Sequence, residues 1–159
     1  RFMYEESFRT PLVVRMPGTI RAGAHTEAQV VNADIAPTIL ELAGVQAPAD
    51  MQGKSFVPVL RHPKSTHRPH IYYHYYENGE HAVSPHFGVS DGRYKLIRFY
   101  TRVHGWELYD LKSDPQELKN VYHDRNYKKT VDMMKRKLAD EIAHFDDQEA
   151  RLIMDQPMD

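Results

Sequence analysis

The sequence predicts an α/β segment from the edge of a sheet, followed by a small α+β subdomain. Three patterns support this prediction: an apolar run bracketed by prolines at about residues 11–16, four β-prone runs after residue 69, and an apolar stripe at helical spacing near the C terminus. Hydrophobic residues make up 41% of the 159 residues and charged residues 27%, which is ordinary usage for a globular protein.

The first part of the chain is expected to hold one strand and one main helix. The run at about 11–16 is rich in β-branched residues and is typical of a strand buried on both faces, as in a parallel sheet covered by helices. Asn32 or Asp34 can cap a helix over about 35–43. Four prolines between residues 45 and 69 then allow only loops and about one helical turn.

The second part predicts a four-stranded antiparallel sheet packed by a long C-terminal helix. The strand signals lie at 70–76, 87–90, 93–100 and 106–111, and the Asp91-Gly92 pair indicates a hairpin between the second and third strands. The helix is predicted by an apolar stripe formed by Tyr127, Val131, Met134, Leu138, Ile142 and Phe145. Asp114-Pro115 followed by Glu117 predicts a short helical turn, and the tail after about Gln148 shows no periodicity.

Composition argues against several classes of function. Lys and Arg number 21 against 22 Asp and Glu, so the net charge of -1 gives no overall field for nucleic acid. Arg93, Lys95 and Arg98 are accordingly expected to be solvated cations on an amphipathic strand, in preference to an RNA platform. No apolar run approaches the roughly 18 residues of a membrane span. The chain has no cysteine and therefore no thiolate ligand or nucleophile.

Histidines are the first candidates for chemistry, because the chain has ten of them. His70 and His74 stand four apart, which would suit a metal site on a helix, but their surroundings favour a strand. The strand period of two then places His70, Tyr72, His74 and Tyr76 on one face. A half-buried polar face is the favoured interpretation, and a metal site is the alternative.

The segment from Tyr76 to His86 is the main candidate for binding. It connects two predicted strands and is dense in groups that hydrogen-bond hydroxyls or anions, with tyrosine rings that can stack on sugars. The candidate substrate-binding residues are Tyr76, Glu77, His81 and His86. The alternative is an ordinary solvated loop.

Four phrases, taken together and in order, resemble the C-terminal part of the type I sulfatases of the alkaline-phosphatase-like superfamily. They are Tyr4-Glu5 with Arg9 and Pro11 leading into Leu12–Gly18, then Asp34–Gly44, then Gln52–Leu60, and finally Glu107–Leu111 with Asp114–Glu117 and Asn120. The sequence is also similar to the sulfatases of the N-acetylglucosamine-6-sulfatase kind, which act on glycosaminoglycans. This similarity lies in residues 72–77, 80–81, 86–89 and 93–97, and in Trp106.

This resemblance implies a division of the fold and a shared activity. Residues 1–69 would be the C-terminal end of the sulfatase α/β main domain, and residues 70–159 would be the C-terminal α+β subdomain. The family hydrolyses sulfate esters with a formylglycine and a divalent cation, usually calcium. The motif that yields formylglycine is absent from this chain, so we expect no catalytic or metal-binding residue here, and expect the chain alone to be inactive.

The resemblance also implies a role in substrate recognition and a set of partners. The subdomain of the family lends polar side chains to the rim of the pocket, and His81 or His86 would do so here. The expected partners are a sulfated saccharide and the N-terminal part of the same protein, in the periplasm or outside the cell. The alternatives are a non-catalytic carbohydrate-binding module with a platform of Tyr72, His74 and Tyr76, and a phosphatase or phosphonate-ester hydrolase of the same superfamily.

Overall fold

The structure, a computed structural model, describes residues 1–79, 81–154 and 156. The chain divides into two compact units, one of residues 12–71 and one of residues 1–11 with 72–159, which we call the sheet unit. The helices are α1 (Glu5–Phe8), α2 (Ile35–Leu42), α3 (Val57–Arg61), α4 (Lys128–His144) and α5 (Gln148–Met154), and the strands are β1 (Ile71–Tyr75), β2 (His86–Ser90), β3 (Tyr94–Phe99) and β4 (Gly105–Asp110). Single 3-10 turns lie at Asn32–Asp34 and Arg125–Tyr127.

The four strands form one antiparallel sheet in the order β1-β2-β3-β4, which confirms the predicted sheet. The hairpin between β2 and β3 turns at Asp91-Gly92, as predicted, and Val89 lies opposite Leu96. The Asp91 carboxylate accepts the backbone N–H groups of Arg93 and Tyr94. Its second oxygen lies 2.6 Å from the Lys137 ammonium, so the hairpin is tied to α4.

One face of the sheet packs against α4 and α5. The apolar stripe of α4 is buried as predicted, with Met134 and Leu138 completely buried against Phe87, Leu96 and Leu108 of the sheet. The expectation of an irregular tail after Gln148 is wrong, because α5 buries Ala150 and Ile153 in the same core. None of the described helices is both long and apolar enough to cross a lipid bilayer.

The opposite face of the sheet is covered by the first eight residues of the chain. Met3 is completely buried against Ile97, Phe99 and Tyr109, with Phe2, Tyr4 and Phe8 around it. Gly88 makes this contact possible, because a Cβ there would stand 2.7 Å from the Met3 sulfur and 2.3 Å from the Leu96 carbonyl oxygen. The N-terminal segment therefore packs as part of the sheet unit.

Lys95 lies in the middle of this second face and is completely buried, as is Arg98 on the helical face, so the expectation of solvated cations is wrong for these two residues. It holds for Arg93, which is exposed. The Lys95 ammonium lies 2.7 Å from a carboxylate oxygen of Glu5 and 2.7 Å from one of Glu117, and also donates to the Met3 carbonyl. A buried ammonium requires such partners, since desolvation of an ion costs several kcal/mol.

Glu117 reaches Lys95 because its backbone adopts a left-handed conformation, with φ of 54°. The segment from Asp114 is a hydrogen-bonded turn and not the predicted helical turn. The Asp114 carboxylate accepts the backbone N–H of Lys119, while the Glu117 carboxylate turns away to Lys95 and accepts the backbone N–H of Glu5. The Glu117 side chain is therefore taken up by Lys95 and Glu5 and does not cap a helical turn.

His86 is also buried on this face, with no exposed surface. Its ring lies 4.9 Å from that of Phe99 and within 6 Å of those of Phe2, Tyr73 and Tyr75, measured between ring centres. Nδ1 lies 2.9 Å from the Ser84 carbonyl oxygen, and Nε2 is buried without a hydrogen-bond partner among the described residues. Burial lowers the pKa of His86 below its ordinary value of 6.5.

The unit of residues 12–71 contains α2 and α3 but lacks the strand expected at about 11–16. These residues have no regular secondary structure, and Leu12 and Val13 are 52% and 90% exposed. The physical reason is that a strand needs a neighbour for its backbone hydrogen bonds, and the described residues supply none here. The helix predicted at 35–43 is confirmed as α2, and the turn near Phe56 as α3.

Asp34 holds this unit together. Its completely buried carboxylate accepts hydrogen bonds from Arg68 Nε at 2.8 Å, from the backbone N–H of Lys54 at 2.8 Å and of Val31 at 3.1 Å, and lies 3.0 Å from His67 Nε2. Burial raises the pKa of a carboxyl, but these hydrogen bonds outweigh it and lower the pKa of Asp34 to about 2. The proline-rich connection is thus fastened to the start of α2.

The buried ion pair predicts a large loss of stability when Glu117 loses its charge. The variant Glu117→Gln keeps the shape of the side chain but leaves Lys95 with Glu5 as its carboxylate partner, so the free energy of unfolding of the sheet unit should fall by about 3 kcal/mol. Denaturant unfolding followed by the fluorescence of Trp106, the single tryptophan, measures it. The matched exchange Glu6→Gln, at an exposed residue, should change stability by less than about 0.5 kcal/mol. Equal effects of the two variants would contradict this account.

The buried His86 predicts a loss of stability in mild acid. Its pKa is lowered in the folded state, so the unfolded chain, with a pKa near 6.5, binds the proton more readily. The stabilising contribution is therefore complete above about pH 6.5 and is lost as the pH falls below it. In unfolding curves between about pH 7.5 and 5.5, His86→Phe should lose about 1 kcal/mol less stability than the parent chain. An unchanged pH dependence in His86→Phe would contradict this account.

Candidate functional site

The connection between β1 and β2 is the rim loop, which we define as residues 76–85. It leaves one end of the sheet and carries three of the four residues predicted to bind substrate, namely Tyr76, Glu77 and His81. The fourth, His86, is the first residue of β2 and is completely buried, so the structure does not bring it together with the other three at the surface. Glu80 lies outside the described residues.

Glu77 and His81 form a polar pair on the surface of the rim loop. His81 Nδ1 lies 3.1 Å from Glu77 Oε2, and the hydroxyl of Tyr75 donates to the same oxygen at 2.8 Å. The Tyr75 hydrogen bond and the His81 contact lower the pKa of Glu77, so its carboxylate is held in the ionised form. A proton on Nδ1 toward Glu77 leaves Nε2 of neutral His81 able to accept a hydrogen bond.

Hydrogen bonds to the next connection, between β3 and β4, hold the rim loop in place. Arg102 donates from Nε to the side-chain oxygen of Asn78 at 3.0 Å and from Nη1 to the His81 carbonyl at 3.3 Å. Ser84 donates its hydroxyl to the Tyr100 carbonyl at 2.7 Å and accepts the backbone N–H of Val103. Glu77 and His81 are therefore presented on a loop that is hydrogen-bonded to the rest of the sheet unit.

Tyr76 is the exposed aromatic residue of the rim loop, with 58% of its surface accessible. The face predicted to carry Tyr72, His74 and Tyr76 exists, but only Tyr76 is open on it. The ring of Tyr72 stacks on that of Phe145, and the side chain of His74 is 2% exposed. A sugar platform made from all three rings would need open faces on Tyr72 and His74, but both rings are packed against other side chains.

The described residues of the rim loop do not form a metal centre. In the described parts of the chain, no group of three or more His, Asp and Glu side chains could hold a metal ion. A groove of about 360 Å³ lies at the other end of the sheet, lined by Glu5, Arg9, Gly92, Arg93, Leu111, Lys112 and Pro115. Its Glu5 is paired with Lys95, and its Arg93 with Asp110.

The residues that sequence reasoning missed are Asp147 and Arg102. Asp147 lies 2.6 Å from His74 Nδ1, and Arg102 fastens the rim loop as described above. The sequence signal for Asp147 was available, because an Asp directly before a helical segment is a common N-cap, and Asp147 accepts the backbone N–H of Ala150 at the start of α5. No sequence signal pairs Arg102 with Asn78.

Comparison with known proteins places the chain in one family. Residues 1–144 match the family described as N-sulphoglucosamine sulphohydrolase, C-terminal. The chain is 46% identical over 133 residues to an N-acetylglucosamine-6-O-sulfatase of Bacteroides thetaiotaomicron, a match that covers 81% of this chain and 24% of that protein. It is 30% identical over 155 residues to a Δ4,5-hexuronate-2-O-sulfatase of the same organism, covering 96% and 32%.

The solved structures agree with the sequence matches. A protein whose structure was solved in complex with its substrate, D-glucosamine-2-N,6-O-disulfate, superimposes with a TM-score of 0.90 and 39% identity, over 99% of this chain and 32% of that one. The chain thus spans about a quarter to a third of the length of these relatives. The chain belongs to the sulfatases, as a member of the N-sulphoglucosamine sulphohydrolase C-terminal family.

Proposed function

We propose that this chain is the C-terminal part of a sulfatase that hydrolyses a sulfate ester of a sugar, with a sulfated glucosamine as the favoured substrate class. The observation that carries the proposal is the superposition of 99% of the chain, at 39% identity, on a protein that binds D-glucosamine-2-N,6-O-disulfate. The 46% identity to an N-acetylglucosamine-6-O-sulfatase supports the same substrate class. Because the chain spans 32% of the first protein, the activity belongs to the complete protein.

In this proposal the rim loop recognises the sugar and leaves the bond cleavage to other parts of the protein. The Glu77 carboxylate accepts hydrogen bonds from sugar hydroxyls, and the Nε2 atom of His81 accepts one more. Charge-assisted hydrogen bonds of this kind fix the orientation of a polar ligand. The completely buried His86, at the start of β2, is a packing residue of the sheet in this proposal.

We further propose that residues 1–69 complete the main domain of the sulfatase, and that residues 1–11 do so while they are packed on the sheet. The exposed Leu12 and Val13 are supporting evidence, since a β-prone run with 52% and 90% exposure needs a neighbouring strand. The N-terminal part of the same protein is the proposed neighbour. That part would also hold the formylglycine, which supplies the nucleophile for sulfate transfer, and the divalent cation. A periplasmic or extracellular location follows from this proposal.

Variants of the rim loop in the complete protein test the proposed role. Glu77→Gln and His81→Ala should each lower kcat/KM on a 6-O-sulfated glucosamine saccharide by about 5- to 150-fold, which corresponds to about 1–3 kcal/mol of transition-state binding. An aryl sulfate that is too small to reach the rim should be hydrolysed nearly as fast as by the parent protein. Steady-state kinetics on the two substrates give both numbers.

The control for these variants is Ala82→Ser, at an exposed position of the same loop. It should leave kcat/KM on both substrates within about twofold of the parent value. Equal losses on the saccharide and the aryl sulfate would show that Glu77 and His81 act on the fold or the bond cleavage. No hydrolysis of either substrate by the parent protein would contradict the proposed activity itself.

A further inference from the structure

Tyr76 differs from ordinary surface tyrosines in being held on two sides. Its ring stacks on the imidazole of His74, with ring centres 3.8 Å apart and planes inclined by 29°. Its hydroxyl donates to Asp147 Oδ2 at 3.2 Å. With one face against His74 and 58% of the residue exposed, the other face of the ring is presented to solvent in a fixed orientation.

The imidazole beneath Tyr76 is itself fixed through both of its nitrogen atoms. His74 Nδ1 lies 2.6 Å from Asp147 Oδ2, and Nε2 lies 2.7 Å from the hydroxyl of Tyr100. The Tyr100 hydroxyl is in turn 3.1 Å from Glu149 Oε1 in α5. A ring with partners at both nitrogens and 2% exposure of its side chain can neither flip nor swing out.

Asp147 is the point at which these contacts meet. Its Oδ2 accepts the hydroxyls of Tyr72 at 2.8 Å and of Tyr76, besides its contact with His74, and its Oδ1 accepts the backbone N–H of Ala150. Asp146 adopts a left-handed conformation with φ of 51°, which turns the chain sharply between α4 and α5. The carboxylate is thus directed back at the sheet, and burial is outweighed by these hydrogen bonds, so the pKa of Asp147 stays below its ordinary value.

We propose that Tyr76 is a stacking platform for the apolar C–H face of a pyranose ring, and that His74 and Asp147 are positioning residues that hold this platform in place. This inference rests on the proposed function, and it assigns the sugar-stacking role to one residue of the rim loop. Tyr76 directly precedes Glu77 in the rim loop, so an open, uncharged ring and the hydrogen-bonding pair Glu77 and His81 belong to the same loop, and these are the two features that sugar recognition needs. A ring that is already fixed loses little side-chain freedom when the sugar binds.

Kinetics of the complete protein on a 6-O-sulfated glucosamine saccharide test the platform. Tyr76→Leu should raise KM about 10-fold, with kcat changed by less than about twofold, because the platform contributes binding and not bond cleavage. Tyr76→Phe keeps the ring but loses the hydrogen bond to Asp147, and should raise KM about 2- to 3-fold. Tyr76 is exposed, so neither exchange endangers the fold. An unchanged KM in Tyr76→Leu overturns the inference.

Exchanges at the adjacent Asp146 and Asp147 test the positioning role. Asp147→Asn should raise KM about 3- to 10-fold at unchanged kcat, whereas Asp146→Asn, at an exposed residue that makes no contact with Tyr76, should have no effect. Proton NMR of the unliganded protein supplies a second readout. The Nδ1 proton of His74 should give a slowly exchanging resonance downfield of the amides, and Asp147→Ala should abolish it.

The outcomes separate the two proposals. If the parent protein hydrolyses the saccharide and Tyr76→Leu raises KM while Asp147→Asn does not, then His74 and Asp147 are not positioning residues. If the parent hydrolyses it and none of the variants changes KM, the platform is overturned and the sulfatase proposal stands. If the parent does not hydrolyse any sulfated glucosamine, the proposed function fails, and the stacking role fails with it.

Discussion

Lys95 places an ammonium group on the face of the sheet that the N-terminal segment covers, with no exposed surface. A charge in this position is tolerable only if carboxylates reach it, since its desolvation costs several kcal/mol. Glu5 arrives from the start of the chain, 90 residues away in sequence, and Glu117 arrives from the turn after β4. The first residues of the chain are therefore packed with a sheet that begins some seventy residues later, and the turn after β4 takes up an unfavourable left-handed backbone to complete the site.

Buried charged groups with several hydrogen-bonding partners also lie on the other face of the sheet and in the unit of residues 12–71. Asp147 gathers Tyr72, His74 and Tyr76 at the start of α5, and Asp34 gathers Arg68, His67 and two backbone N–H groups at the start of α2. In each case one buried carboxylate orients several donors, which polar groups removed from water require. The rim loop begins at Tyr76, whose hydroxyl donates to Asp147. This buried carboxylate therefore helps to fix the position of the exposed loop.

The parts of this fold that follow local rules could be predicted from sequence. The period of α4, the Asp91-Gly92 turn and the alternation of Tyr72 and His74 with their neighbours in β1 each depend on residues close in the chain. Residue type predicts a surface position for Lys95, Arg98 and His86, but all three are buried. Their burial could not be predicted because it depends on partners that are distant in sequence, as Lys95 depends on Glu117. The strand expected at about 11–16 failed for the same reason, since pairing requires a second segment. Of the predicted binding residues, the exposed Tyr76, Glu77 and His81 lie together on one loop, and their supports came from residues more than twenty positions away, namely Arg102 and Asp147.

A double-mutant cycle between Lys95 and Glu117 tests this account most directly. The free energy of unfolding of the sheet unit is measured for the parent chain, for Lys95→Met, for Glu117→Gln and for the double variant, with Trp106 fluorescence as the probe. If the buried ion pair organises this face, the double variant should be more stable than the sum of the single losses predicts, by about 2 kcal/mol or more. A coupling energy below about 0.5 kcal/mol would show that the two residues act independently, and would contradict the central role given to Lys95.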